Sequence, residues 1–151
     1  MPIATKSDFI SLPSEKKTEE LAKKFSKKLK LGHVVFLVGE MGVGKTTFIR
    51  YLINQLQKNK NLQLTEVTSP TFNLLNEYQI NDLVIKHYDL FRLKDKSEIT
   101  NLDLFENNKN SITLIEWPQL IDKERLIKRI ELTFVYENKL NNRSVNINGL
   151  G

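Results

Sequence analysis

The sequence predicts an α/β domain of three layers, with helices on the faces of a mixed parallel and antiparallel sheet. Three observations carry this expectation. Short, nearly unbroken apolar runs alternate along the chain with segments whose apolar residues recur at helical spacing. Two pairs of extended segments flank polar turns that suit hairpins, which a purely parallel sheet would not contain. The first apolar run also ends in a glycine-rich stretch that opens directly into an amphipathic helix, "VVFLVGEMGVGKTTFIRYLINQL" from Val34 to Leu56.

Taken in order, the first element is a helix in "EKKTEELAKKFSKKLK". Leu21, Ala22, Phe25 and Leu29 share a helical face, Lys23, Lys24, Lys27, Lys28 and Lys30 fall mostly elsewhere, and Gly32 is placed to end it. His33 to Val38 reads as a strand buried on both faces, bounded by Gly32 and Gly39. The helix after it should turn Ile49, Leu52, Ile53 and Leu56 toward the sheet. Beyond it, "TFNLLNEYQ" and "LVIKHYDLF" flank "IND", a hairpin turning near Asn81 and Asp82. A short acidic helix is expected at "DKSEITNLDLFEN", a second buried strand at "SITLIEW", and a last hairpin in "RIELTFVYENKLNNRSVNING".

At 151 residues the chain has the length of one domain, 1–151, with room for a single sizeable core. No apolar run approaches the roughly 18 to 20 residues that cross a bilayer, and "MPIATKSDFISLPS" lacks an apolar signal core. A cytoplasmic protein without membrane association is expected. Zero cysteines exclude disulfides and thiolate chemistry, and two histidines, His33 and His87, are too few for a histidine-built metal site. The net charge of +5 comes largely from the lysine cluster, where a solvated helix face is preferred to an RNA contact.

The chemistry is concentrated in "GEMGVGKT", Gly39 to Thr46, which fits G-x-x-x-x-G-K-[ST] with a strand before it and a helix after it. Glycines let the backbone wrap close around phosphate oxygens with successive N–H groups pointing inward, and the helix start adds its positive dipole end. Lys45 would reach the β- and γ-phosphates and Thr46 would give its hydroxyl to Mg²⁺, whereas Met41 and Val43 act as spacers through their amides.

Such a loop needs a carboxylate at the end of a neighbouring buried strand to hold the magnesium through its water shell. Glu116, closing the apolar run "ITLIE", is favoured over Asp89, which closes the alternating "VIKHYD". Asp89 is left to orient water, to make a supporting contact or to pair with Arg92. "TSPTFNLLNEY" is read equally as a rigid turn, since Pro70 restricts Ser69, or as a phosphate-sensing switch. "NNKNS", Asn107 to Ser111, lacks the acid of a guanine-reading N-K-x-D element, which leans the nucleotide toward ATP.

"SPTFNLLNEY" at Ser69 to Tyr78, "HYDLFRL" at His87 to Leu93 and "IEW" at Ile115 to Trp117, in that order behind the glycine loop, resemble the TsaE family, formerly YjeE. These are bacterial P-loop ATPases of tRNA threonylcarbamoyladenosine biosynthesis. Phe91 stands where the family usually has Tyr, and Glu40 and Met41 replace a common Asp and Leu. The resemblance implies a P-loop NTPase-like fold, with Thr46 and Glu116 on Mg²⁺ and Gly42, Val43, Gly44, Lys45, Thr46 and Thr47 on the ATP phosphates. It further implies that Asp89 and Thr71 serve the active site, that the segment around Glu15 borders the adenine, and that Trp117 lies near the nucleotide.

By the same resemblance the protein docks onto a TsaB–TsaD heterodimer, whose TsaD subunit modifies adenosine 37 of tRNAs reading codons that begin with A. Its ATP cycle resets or gates that assembly, and contact with tRNA is indirect. The expected activity is slow, magnesium-dependent ATP hydrolysis stimulated by partners, and no arginine finger is identifiable from the sequence, Arg50 and Arg92 being the candidates considered. Two other classes remain alternatives: a small P-loop kinase, and a basic RNA-binding module with a structural nucleotide site.

Overall fold

The computed structural model describes residues 9–70, 72–100, 102, 104, 110–122, 129–137 and 142–149. In chain order these form β1 (Phe9–Leu12), α1 (Glu15–Ser26), β2 (Val34–Val38), α2 (Lys45–Asn59), β3 (Leu75–Ile80), β4 (Leu83–Asp89), α3 (Lys96–Thr100), β5 (Ser111–Glu116), β6 (Arg129–Tyr136) and β7 (Arg143–Asn148). The seven strands make one sheet in the order β1-β7-β6-β2-β5-β4-β3. β2 pairs in parallel with β5 and β6, and β5 in parallel with β4, while β3, β7 and β1 join antiparallel.

Alternation along β2 explains the three layers. Val35 and Leu37 enter the core beneath α1 and α2, whereas Val34 and Phe36 enter a second cluster on the opposite face with Tyr88, Leu90, Ile99 and Ile121. A strand buried on both sides has no use for polar residues, hence the unbroken apolar run. On α2, Phe48, Ile49, Leu52 and Ile53 are fully buried, each contributing about 1.5–3 kcal/mol, and Leu56 is half-buried at the margin. Phe48 meets Phe25 of α1 and Phe134 of β6 edge-on, with ring centroids 5.6 and 5.8 Å apart, which ties α1, α2 and the sheet together. On α1, Ala22 and Phe25 are buried while Lys23 and Lys24 are exposed, the amphipathic division expected, and Lys27, Lys28 and Lys30 beyond its end are exposed too.

Both hairpins form where expected. Asn81 adopts φ +54° in the two-residue connection between the paired Ile80 and Leu83, a left-handed conformation that asparagine tolerates. The structure departs from the sequence reading most at α1, α3 and β1. α1 stops at Ser26, six residues before Gly32, because Ser26 Oγ donates to Lys23 O at 2.7 Å and the Lys27 and Lys28 N–H groups turn back to Lys24 O and Phe25 O. Gly32, at φ +88°, instead aims the chain into β2, its N–H donating to Ser111 O at 2.8 Å. The acidic helix begins as expected but α3 covers only Lys96–Thr100, and most of 101–107 lies outside the described residues. β1 was not anticipated: four residues without alternation become an edge strand only because β7 offers them a partner.

Candidate active site

The glycine loop connects the C-terminal end of β2 to α2. Gly39 sits at φ +152°, and a Cβ there would lie 2.7 Å from Phe134 O and 2.8 Å from Val43 Cγ1, so only glycine lets the loop leave the sheet this closely. Gly44 caps α2 at φ +113° with no side-chain capping bond. The first-turn N–H groups of α2 therefore face the cleft without an intrahelical partner, the arrangement that receives an anion. Val43 is buried under the loop, and the cleft in front of it encloses about 660 Å³.

Lys45 is 4% exposed. Its Nζ donates to Gly39 O at 2.6 Å and stands 3.7 Å from the centroid of the Trp117 ring. Burial pulls its pKa below the ordinary lysine value, and the carboxylates of Glu116 and Asp89 act in the opposite sense. Trp117, at φ +58°, holds a strained left-handed conformation for a bulky residue, and its ring also packs against Phe91 at 4.9 Å.

Glu116 ends β5 beside β2 and β4, 3% exposed. Thr46 Oγ1 lies 3.2 Å from each of its carboxylate oxygens and donates to them. From behind, the fully buried His87 approaches with Nε2 2.8 Å from Glu116 Oε2, which puts the ring hydrogen on Nε2, while its Nδ1 has no partner among the described residues. Asp89 is the strand-pair neighbour of Glu116, but its carboxylate faces the preceding loop: Oδ2 accepts from Ser69 Oγ at 3.0 Å and Oδ1 from the Phe91 N–H at 3.0 Å. Arg92 lies over the Phe72 ring at 4.9 Å.

Gly42, Gly44, Lys45, Thr46, Thr47, Asp89, Glu116 and Trp117 thus line one cleft, and Val43, from the same sequence reading, is not among its lining residues. Glu15 does not line it; it opens α1 and pairs with Arg50 of α2 at 3.0 Å. Thr71 lies outside the described residues. Sequence reasoning missed His87 and Arg143, both set against the site by sheet register. The signal for His87 was its spacing of two from Asp89, which puts both on one face of β4.

Among the described residues no cluster of three or more His, Cys, Asp or Glu side chains could hold a metal unaided. One carboxylate beside one hydroxyl nevertheless fits Mg²⁺, which keeps waters and shares its remaining positions with nucleotide phosphates.

A glycine loop at the head of a helix, opening at the C-terminal ends of parallel strands and faced by a strand-end carboxylate, defines a protein of P-loop NTPase-like fold. The family model described as "Threonylcarbamoyl adenosine biosynthesis protein TsaE" matches residues 12–145, and the chain belongs to that family. It is 43% identical over 110 residues to the tRNA threonylcarbamoyladenosine biosynthesis protein TsaE of Rickettsia bellii, covering 73% of this chain and 74% of that protein. It is 40% identical over 111 residues to the protein of the same name from Rickettsia conorii, covering 74% of this chain and 61% of the relative. In fold it resembles the crystal structure of Bacillus subtilis YdiB, with a TM-score of 0.69 at 23% identity over 95% of this chain and 85% of that one.

Proposed function

We propose that this protein is a single-domain, magnesium-dependent ATPase of cytoplasmic tRNA threonylcarbamoyladenosine biosynthesis, acting on a TsaB–TsaD assembly without performing the transfer itself. The observation that carries the reading is the contact of Thr46 with the buried Glu116 directly beneath the open amides of α2. Family membership supports the pathway, and relatives named as tRNA threonylcarbamoyladenosine biosynthesis proteins support the involvement of tRNA. ATP phosphates take the loop amides of Gly42 to Thr47, and Lys45 leaves Gly39 O to neutralise charge developing on the β- and γ-phosphates. Magnesium bound at Thr46 and Glu116 would stabilise charge on the same phosphate oxygens.

His87 fixes the orientation of Glu116 from behind. Asp89 accepts from Ser69 at the edge of the cleft, a contact on which a partner can act. This arrangement supports weak hydrolysis by the isolated chain. The test is steady-state ATP hydrolysis with and without magnesium, by the chain alone and with TsaB and TsaD, using Lys45→Ala as the blank. Slow turnover that the partners raise several-fold is expected; rapid, saturating hydrolysis by the chain alone overturns the partner-gated reading.

A further inference from the structure

We propose that a groove at the end of the sheet opposite the glycine loop docks an acidic amphipathic helix of a partner protein. α2 runs between the two places: Lys45 opens it at the nucleotide cleft, and Asn59 closes it at the groove, roughly 22 Å away. β4 spans the same distance, from Leu83 in the groove to Asp89 in the cleft. An occupant of the groove therefore leaves the nucleotide cleft open, and the proposal stands apart from the ATPase reading.

The groove encloses about 880 Å³, against about 660 Å³ for the nucleotide cleft. Its floor is apolar. Leu29 and Leu31 follow α1, Leu56 belongs to the last turn of the apolar stripe on α2, and Ile80, Leu83 and Ile112 come from the sheet. Leu31 is 57% exposed, and Leu29, Leu56 and Leu83 are half-buried, so helices and sheet leave their outermost apolar residues uncovered in one place. Apolar side chains gathered in a concavity mark a binding face, whereas scattered exposed leucines do not.

The rim is basic. Lys27, Lys28 and Lys30 stand around Leu29 in the chain, Lys58 and Lys60 stand at the end of α2, and all five are exposed without a salt bridge among the described residues. Helix termini explain part of this charge, since the ends of α1 and α2 each carry about half a negative charge and Asp82 on the lip of the groove adds one more. These offset about two of the five lysines. The remainder complements an acidic partner.

A helix with leucine or isoleucine at i, i+3, i+4 and i+7 and carboxylates beside them meets both floor and rim. RNA would meet the lysines alone, because no aromatic or arginine side chain among the described residues lines the groove to stack a base. A second copy in a twofold contact would set one lysine rim against the other. A lipid surface is flat where this floor is concave.

Fluorescence anisotropy of a labelled peptide of about 15 residues, with leucine at those positions and glutamate between them, tests this on the full chain. A scrambled peptide of the same composition and a single-stranded oligouridylate of equal charge are measured beside it. The scramble should bind roughly tenfold more weakly or worse. Leu31→Ser, at an exposed position that serine tolerates, and the double variant Lys30→Gln, Lys60→Gln should each weaken the amphipathic peptide about fivefold or more. Lys96→Gln, on α3 and outside the groove, should stay within about twofold. Saturating magnesium and a non-hydrolysable ATP analogue should not displace the peptide. Displacement would seat the peptide in the nucleotide cleft and overturn the proposal, as would equal binding by the scramble. Tighter binding of the oligouridylate, with Leu31→Ser indifferent, overturns it in favour of an RNA surface. No binding at about 1 mM peptide also overturns it.

Discussion

Lys45 is a cation carried almost out of water by folding, with a carbonyl oxygen on one side and an indole face on the other. Burial lowers its pKa because those neighbours replace hydration incompletely, and a phosphate seated on the loop would supply the missing opposite charge. His33 shows the same physics in a structural setting. Its Nδ1 accepts the Lys30 N–H at 3.0 Å in the turn that leads into β2. Burial first, and the charge of Lys30 second, hold its pKa below 6.5. The folded chain then binds fewer protons there than the unfolded one, so this contribution to stability is present above 6.5 and is lost as pH falls below it. Urea unfolding between roughly pH 5 and 7 should show the wild type losing stability toward acid more steeply than His33→Asn, whose side-chain oxygen can still accept from Lys30. Equal slopes for the two proteins would mean that His33 is not the group responsible.

Among the elements, the β2–α2 connection depends most on residue type. An alanine Cβ at Gly39 meets the main-chain oxygen of Phe134, which β6 cannot withdraw without disturbing its pairing with Val145 of β7. At Gly42 the corresponding contact is only the half-exposed Tyr136 hydroxyl, 3.3 Å away, the far end of a side chain that can shift at the cost of its long bond to Met41 O. Both glycines have positive φ, but +152° at Gly39 lies farther from any region open to an L residue than +80° at Gly42, so backbone strain adds to the clash at Gly39. Gly39→Ala should cost about 1–3 kcal/mol more in urea unfolding than Gly42→Ala, and equal losses would dismiss the clash. The same connection shows what was legible in the sequence. Glycine spacing, the apolar run and the helical stripe are local signals, and so is the Asn81–Asp82 turn. The end of α1 was not, because Ser26 and the lysines after it settle the last turn through side-chain and backbone bonds that no periodicity records. Nor was β1, whose existence depends on β7 near the other end of the chain. Among the residues of the candidate site, Lys45, Thr46 and Glu116 were readable from position within their own elements, whereas His87 and Arg143 come beside them only when register sets β4 beside β5 and β7 beside β6.

At the scale of the molecule, the cleft gathers side chains from parts of the chain that the sheet alone holds together: the glycine loop after β2, the segment at Ser69, the ends of β4 and β5, and the start of β7. A ligand that touches all of them binds the folded chain and has nothing comparable to hold in the unfolded one, so its binding free energy adds to global stability. At a concentration one hundred times its dissociation constant the gain is about 2.7 kcal/mol. For a domain of this size that corresponds to a rise of roughly 5–10 °C in melting temperature. Scanning calorimetry with magnesium and a non-hydrolysable ATP analogue should show that rise in the wild type and almost none in Lys45→Ala. A partial rise is expected in Glu116→Gln, since the loop amides and Lys45 still grip phosphate when the metal end is weakened. An equal rise in Lys45→Ala would move the nucleotide out of this cleft, because no ligand seated on the loop amides could be indifferent to the buried lysine beside them.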